Sequence, residues 1–174
     1  DGMLDTGTYA SYSIIIGLDR REAEFLVKNN VLRMYRGQLP LNHRYGICIS
    51  DEAARKNELR LGDWVIIDSD TASGYVNSLE YQVTGIYESS SEYDSIYIYM
   101  NKDDYLELFD QPPEYFHSVR IYLKNPENAD RFADELDSYL QEGSGLLRAE
   151  SIEYSGQFYL VIAGYLKGLF TLFI

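Results

Sequence analysis

The sequence predicts an α+β fold. Three observations carry that reading: short alternating apolar runs with β-branched residues, helices that open on a polar cap, and the interleaving of the two with a run of strands between residues 63 and 100. Hydrophobic residues make up 45% of the 174-residue chain and tyrosine alone contributes 17, so it can bury a core and is not intrinsically disordered.

Residues 12–16 (YSIII) are rich in β-branched side chains and predict a strand ended by Gly17. Asp19 caps a helix over 20–28, with Ala23, Leu26 and Val27 on one side. Residues 36–40 (RGQLP) predict a turn, and 46–49 a short strand. Ser50 caps a helix from 51 to about 57, with acids in its first turn. Leu61-Gly62-Asp63 breaks it, 64–67 (WVII) is an apolar strand, and 68–78 is expected as a polar connector. Residues 79–87 alternate, with Leu79, Tyr81 and Val83 opposite Glu80, Gln82 and Thr84. Ile96, Ile98 and Met100 share a face of the next strand, Asn101 caps a helix over about 102–109, and Pro112-Pro113 ends that stretch. Val119, Ile121 and Leu123 alternate with Arg120, Tyr122 and Lys124, which predicts another strand. Asn125 at N-cap and Pro126 at the first helical position then open a helix over 126–140. Finally, 158–174 (FYLVIAGYLKGLFTLFI) is apolar apart from Lys167, just short of the roughly 20 residues that cross a bilayer. It fits either a buried terminal helix or the start of a membrane-spanning one.

The formal net charge is −13, and it is uneven: residues 1–60 hold 9 basic and 8 acidic side chains, residues 61–174 hold 6 and 20. Such a balance argues against nucleic acid, which needs clustered Lys and Arg. A single cysteine, Cys48, excludes an internal disulfide framework, and two histidines, His43 and His117, leave no ligand set for zinc and no triad. The stretch 68–74 (DSDTASG) begins like a calcium loop, but Ala72 occupies a ligand position and Glu80 falls one place late. Gly143-Ser144-Gly145 lacks the spacing of a nucleophile elbow, and there is no P-loop or dinucleotide fingerprint. The neighbouring carboxylates Glu92 with Asp94, and Asp103 with Asp104, are the pairings expected by chance among 28 acids. No active site and no cofactor are expected.

Six segments in order resemble one family. They are Arg36-Gly37, 45–56 (YGICISDEAARK), 61–65 (LGDWV, against "hVGDhV"), 81–88 (YQVTGIYE, against "F-x-V-x-G-I-F"), Glu92-Tyr93-Asp94 followed by 96–100, and 119–129 (VRIYLKNPENA, against "h-x-h-x-L-K-D-P-x-x-A"). Together they are similar to the extracytoplasmic domain of ABC-transporter permeases of the lipoprotein-releasing (Lol-type) and macrolide-exporter (MacB-like) class, over most of residues 14–140. The resemblance implies a mixed two-lobe MacB-like periplasmic domain over 1–157. Its inserted lobe would span about 11–113, with part of a membrane-proximal lobe at about 114–150. Residues 158–174 would be an apolar C-terminal helix, made of a pre-membrane segment that holds Phe158 and Tyr159 and then the start of a transmembrane helix with Leu169, Phe170 and Phe173 in its first turns. It implies also that a strand–helix–strand unit of the membrane-proximal lobe lies upstream of this chain.

By the same resemblance the chain would sit in the inner membrane with this domain on the periplasmic side. Its partners would be a cytoplasmic ATPase subunit, a second permease subunit, and a lipoprotein, periplasmic carrier or adaptor protein. The domain would couple ATP hydrolysis to lipoprotein release or export by changing conformation. The family's chaperone-holding hairpin corresponds to 68–79, where Tyr75 and Val76 are the expected partner contacts. The competing expectation is a soluble acidic protein-binding domain unrelated to transport.

Overall fold

The computed structural model describes residues 1–89, 96–115, 119, 121, 123–143 and 147–151. It is an α+β structure in two compact units, Asp1–His117 and Ser118–Ile174.

The first unit is a closed six-stranded barrel of mixed pairing. Its strands are β1 (Gly2–Asp5), β2 (Ala10–Leu18), β4 (Gly46–Ser50), β5 (Trp64–Asp70), β6 (Val76–Tyr87) and β7 (Tyr97–Asn101), with a seventh strand, β3 (Met34–Gly37), appended. Around the ring the order is β6, β4, β7, β2, β1, β5, and β5 returns to β6. The β6–β4 and β7–β2 pairs are parallel and the other four antiparallel. Twelve residues long, β6 serves three partners: β4 along one edge, β5 and then β3 along the other. A bulge between Ile47 and Cys48 leaves Thr84 without a strand partner, and its hydroxyl donates to the Ile47 carbonyl at 3.1 Å.

Alternation sorts the side chains into two cores. Leu4, Ile15, Ile47, Ile49, Val65, Ile67, Tyr81, Val83, Ile98 and Met100 form the first, with Leu108 and Phe109 of the helical segment after β7. The second lies under α1 (Arg20–Lys28) and the segment after it, where Leu18, Ala23, Leu26, Leu32 and Leu39 meet Cys48 and Tyr87.

Three strand–helix joints share one construction. Asp19 Oδ1 accepts from Glu22 N at 2.8 Å to open α1. Ser50 Oγ accepts from Ala53 N at 2.9 Å to open α2 (Asp51–Lys56). Asn101 Oδ1 accepts from Asp104 N at 2.8 Å to open α3 (Lys102–Leu108). Each helix then ends on a residue in the left-handed region: Asn30, Glu58 and Asp110, at φ of 55°, 56° and 51°. All three caps and helix starts match the sequence expectation.

Elsewhere the structure corrects it. Gly17 does not end its strand but lies inside β2, paired with Met100. A Cβ there would fall 2.5 Å from Cβ of Tyr105, so the glycine lets α3 lie directly on the strand. Residues 36–40 are not all turn, since Arg36 and Gly37 pair with Ile86 and Gly85. The polar connector expected over 68–78 shrinks to Thr71–Tyr75, because Asp68, Ser69 and Asp70 pair with Ser78, Asn77 and Val76. Polarity misled there because the outer face of that hairpin is solvated. Strand β1 was not foreseen: four residues are too few to show a period.

In the second unit a 3₁₀ turn, Pro126–Asn128, leads into α4 (Ala129–Gly143). Asn125 Oδ1 accepts from Glu127 N at 3.1 Å, so the predicted start holds with a tighter first turn. The strand expected at 119–124 is not formed at the described positions: Val119 and Ile121 are exposed and belong to no strand. No residue of α4 is buried. A strand with no neighbour has nowhere to place its amide and carbonyl groups. Glu92, Asp94, His117, the apolar C-terminal helix and its residues Phe158, Tyr159, Leu169, Phe170 and Phe173 lie outside the described residues. Among the described residues, no helix is long and apolar enough to cross a membrane.

Gly17→Val should destabilise the barrel by about 3 kcal/mol through overpacking. Adding Tyr105→Ala should recover part of that loss. Urea unfolding of the single and double variants checks both, and additive losses would show that Gly17 and Tyr105 do not couple.

Candidate functional site

Three features of the first unit offer chemistry: a buried carboxylate, the β5–β6 hairpin, and two grooves beside α2.

Asp104, in the first turn of α3, is fully buried. Its Oδ2 accepts from Tyr45 N at 2.7 Å and from Asn101 Nδ2 at 2.5 Å. Its Oδ1 has Arg44 Nε at 2.9 Å, an ion pair whose N–H is not aligned for a hydrogen bond, so that oxygen is held by charge alone. Arg44 also pairs with Glu107, while the Tyr45 hydroxyl donates to Glu107 Oε1 at 3.0 Å. Asn101 reaches the His43 carbonyl as well, at 3.3 Å. The loop before β4 is thereby tied to α3. Burial raises the pKa of Asp104 above the usual carboxylate range, against the Tyr45 amide and Arg44, which lower it; the charge of Glu107 adds a little to the rise. The loop's charged groups are spent on one another. This cluster locks the loop to α3.

Tyr75 and Val76 stand at the hairpin tip, both more than two-thirds exposed. The turn is fixed by Thr71, whose Oγ1 donates to the Tyr75 carbonyl at 2.9 Å and accepts from Tyr75 N at 3.0 Å. Ala72 N donates to the Phe109 carbonyl at 3.1 Å, and Ser73 bonds Asp110, so the base of the loop is anchored to the end of α3. The calcium-like stretch is therefore built into strands and a tight turn, and among the described residues no group of three His, Cys, Asp or Glu is placed to hold a metal.

A shallow groove of about 570 Å³ runs between β3 and α2 over Ala54 and Ile86. It carries Arg36, Arg55 and Arg60, none of which makes an ion pair among the described residues; Arg36 instead stacks over the Tyr35 ring at 5.2 Å. Asp51, Glu58 and Asp63 also line it. Asp51 is held low by bonds from the Ser89 hydroxyl and amide, and Asp63 Oδ2 accepts from Arg60 N at 2.8 Å. A second groove of about 370 Å³ adjoins it, between Tyr9, Asn57 and Trp64. With open walls and arginines set beside acids but, among the described residues, not ion-paired to them, this is a shallow surface feature rather than a chamber that excludes water.

Of the residues singled out from sequence, His43 lies exposed in a turn with Nδ1 2.9 Å from the Arg44 carbonyl. Cys48 is fully buried and its thiol is pushed up to about 12, which keeps it protonated and inert. Arg44 was missed, and Asp104 was read only as a chance neighbour of Asp103. Nothing in the spacing links positions 44 and 104; only the fold does. No protein-family model matches the chain, and a search of curated proteins finds no match.

Asp104 takes up its proton more readily in the folded chain than in the unfolded one. Its share of stability is complete below the ordinary carboxylate range and is lost as pH rises through the raised value. The stability gap between wild type and Asp104→Asn should therefore be widest in acid and narrow with rising pH, in urea unfolding followed from about pH 4 to about pH 8. A gap that widens with pH would overturn this assignment.

Proposed function

We propose that the chain is the extracytoplasmic domain of an ABC-transporter permease of the Lol-type/MacB-like class. It would sit in the inner membrane, facing the periplasm, and couple ATP hydrolysis by a cytoplasmic ATPase subunit to lipoprotein release or export. The observation that carries this reading is the placement of the motifs. Residues 45–56 form β4 and α2, 61–65 lead into β5, 81–88 form most of β6, and 96–100 supply β7, so the resembling segments are successive parts of one barrel. The motif at 119–129 lies in the other unit, whose α4 buries no residue. In this reading its apolar residues, Phe132 and Tyr139 among them, await the remaining half of a membrane-proximal lobe.

Such a domain works by changing packing between two states rather than by making bonds, and its partners are a second permease subunit and a lipoprotein, periplasmic carrier or adaptor protein. The hairpin tip, Tyr75 and Val76, is its contact point.

A photocrosslinking residue at position 75 of the full-length protein tests this in cells. Capture of acylated lipoproteins or their carrier places it in the lipoprotein-releasing branch; capture of a periplasmic adaptor places it among exporters. A protein found free of the membrane and of any ATPase would be the soluble acidic binding domain instead, and the permease reading would fail.

A further inference from the structure

Among the described residues of the first unit, the outside of the barrel is covered on one side only. Around β2, β7, β4 and the C-terminal half of β6, the outward residues Leu18, Cys48 and Tyr87 are buried in the second core. Around the N-terminal half of β2, β1, β5 and the N-terminal half of β6, the described residues of this unit offer no such cover. The register gives the bare face row by row. Tyr12, Met3, Asp68 and Ser78 lie side by side across four strands; Ala10, Asp5, Ile66 and Glu80 form the next row; Trp64 and Gln82 begin a third. Inward neighbours Leu4, Val65, Ile67 and Tyr81 are at most 3% exposed, whereas Trp64 is 57% and Tyr12 52% exposed, with Met3 and Ile66 also open. All four strands are antiparallel, the arrangement that permits one wet face, yet this face carries the residues of a contact surface.

Its charge is of one sign. The paired stretches 2–5, 10–13, 64–70 and 76–82 contain four acids, Asp5, Asp68, Asp70 and Glu80, and no Lys or Arg. An anionic lipid surface is repelled by such a face, and a second copy placed against it would set acid against acid. We infer that the outer face of β2-β1-β5-β6 docks a protein segment that is apolar at its centre and basic at its rim, such as an amphipathic helix with a Lys/Arg border. Trp64 and Ile66 take the apolar centre, and Asp70 and Glu80 steer the rim. This holds whether or not the chain belongs to a permease.

Trp64 is the only tryptophan of the chain, so its emission reports on this face alone. The test titrates the full chain with a synthetic Lys/Leu amphipathic peptide and, in parallel, with a Lys/Ser peptide of equal charge. Emission should shift to the blue and saturate with the first, and the Lys/Ser peptide should bind at least about tenfold more weakly. Asp70→Lys with Glu80→Lys should weaken the Lys/Leu peptide by about tenfold or more, while Asp134→Lys with Glu142→Lys, on α4, should change it less than about twofold. Equal weakening by both pairs, equal binding of both peptides, or an unshifted Trp64 at saturation would overturn the proposal. So would emission that depends on protein concentration without peptide, which marks a second copy as the occupant. A photocrosslink from position 64 into residues 118–174 would overturn it too, by showing that the chain covers the face itself.

Discussion

Everything in the first unit depends on four residues closing a ring. Strand β1 pairs through Met3, Leu4 and Asp5 with both β2 and β5, and without it the barrel would be a sheet with two bare edges. Leu4 points into the first core at 2% exposure, so closure and core formation are one event. The two neighbours are so close at Gly2 that a Cβ there would stand 2.5 Å from Ile15 Cδ1. Once the ring is closed, each strand has an inside and an outside. The inside takes the larger core, one side of the outside takes the smaller one, and the contrast between covered and bare outer faces follows.

The lock at Asp104 solves a related problem. A barrel of this size is filled by side chains but open at its ends, and here α3 supplies Leu108 and Phe109 to the core from beyond β7. Holding α3 in place by a buried charge costs desolvation, which the raised pKa of Asp104 records, and two hydrogen bonds with the Arg44 pair offset it.

Local structure was legible in the sequence wherever a cap or a period marked it. Asp19, Ser50 and Asn101 were read correctly because a short polar side chain before a helix has one obvious partner, the free amide three residues on. Polar or very short stretches were not: 68–78 looked like a connector because its outward residues are acids and serine, although Ser69 is buried inside. Val119, Ile121 and Leu123 have the period of a strand, yet a period states a preference that only a neighbouring strand can satisfy. The period placed Tyr81 beside Leu79 and Val83, but most of the tyrosines could not be sorted from sequence. Tyr81 fills the barrel, the Tyr87 hydroxyl donates to the Tyr97 carbonyl at 3.0 Å within the second core, and Tyr12 and Tyr75 face outward. One side chain serves these places because its ring is apolar and its end is not. The candidate contacts were only half legible: an all-apolar WVII marks a strand, but which of its faces stays bare depends on where α1 packs.

Strand β6 has a mechanical consequence. Twelve residues at about 3.4 Å each give it a length of at most about 40 Å, and it runs from the exposed tip at Val76, through the bulge at Thr84, to Tyr87 beneath α1. Rungs to β5, β4 and β3 brace it along both sides, and the bulge at Thr84 is the place where it can bend. A load on the hairpin tip is therefore shared first by the seven paired positions between β5 and β6.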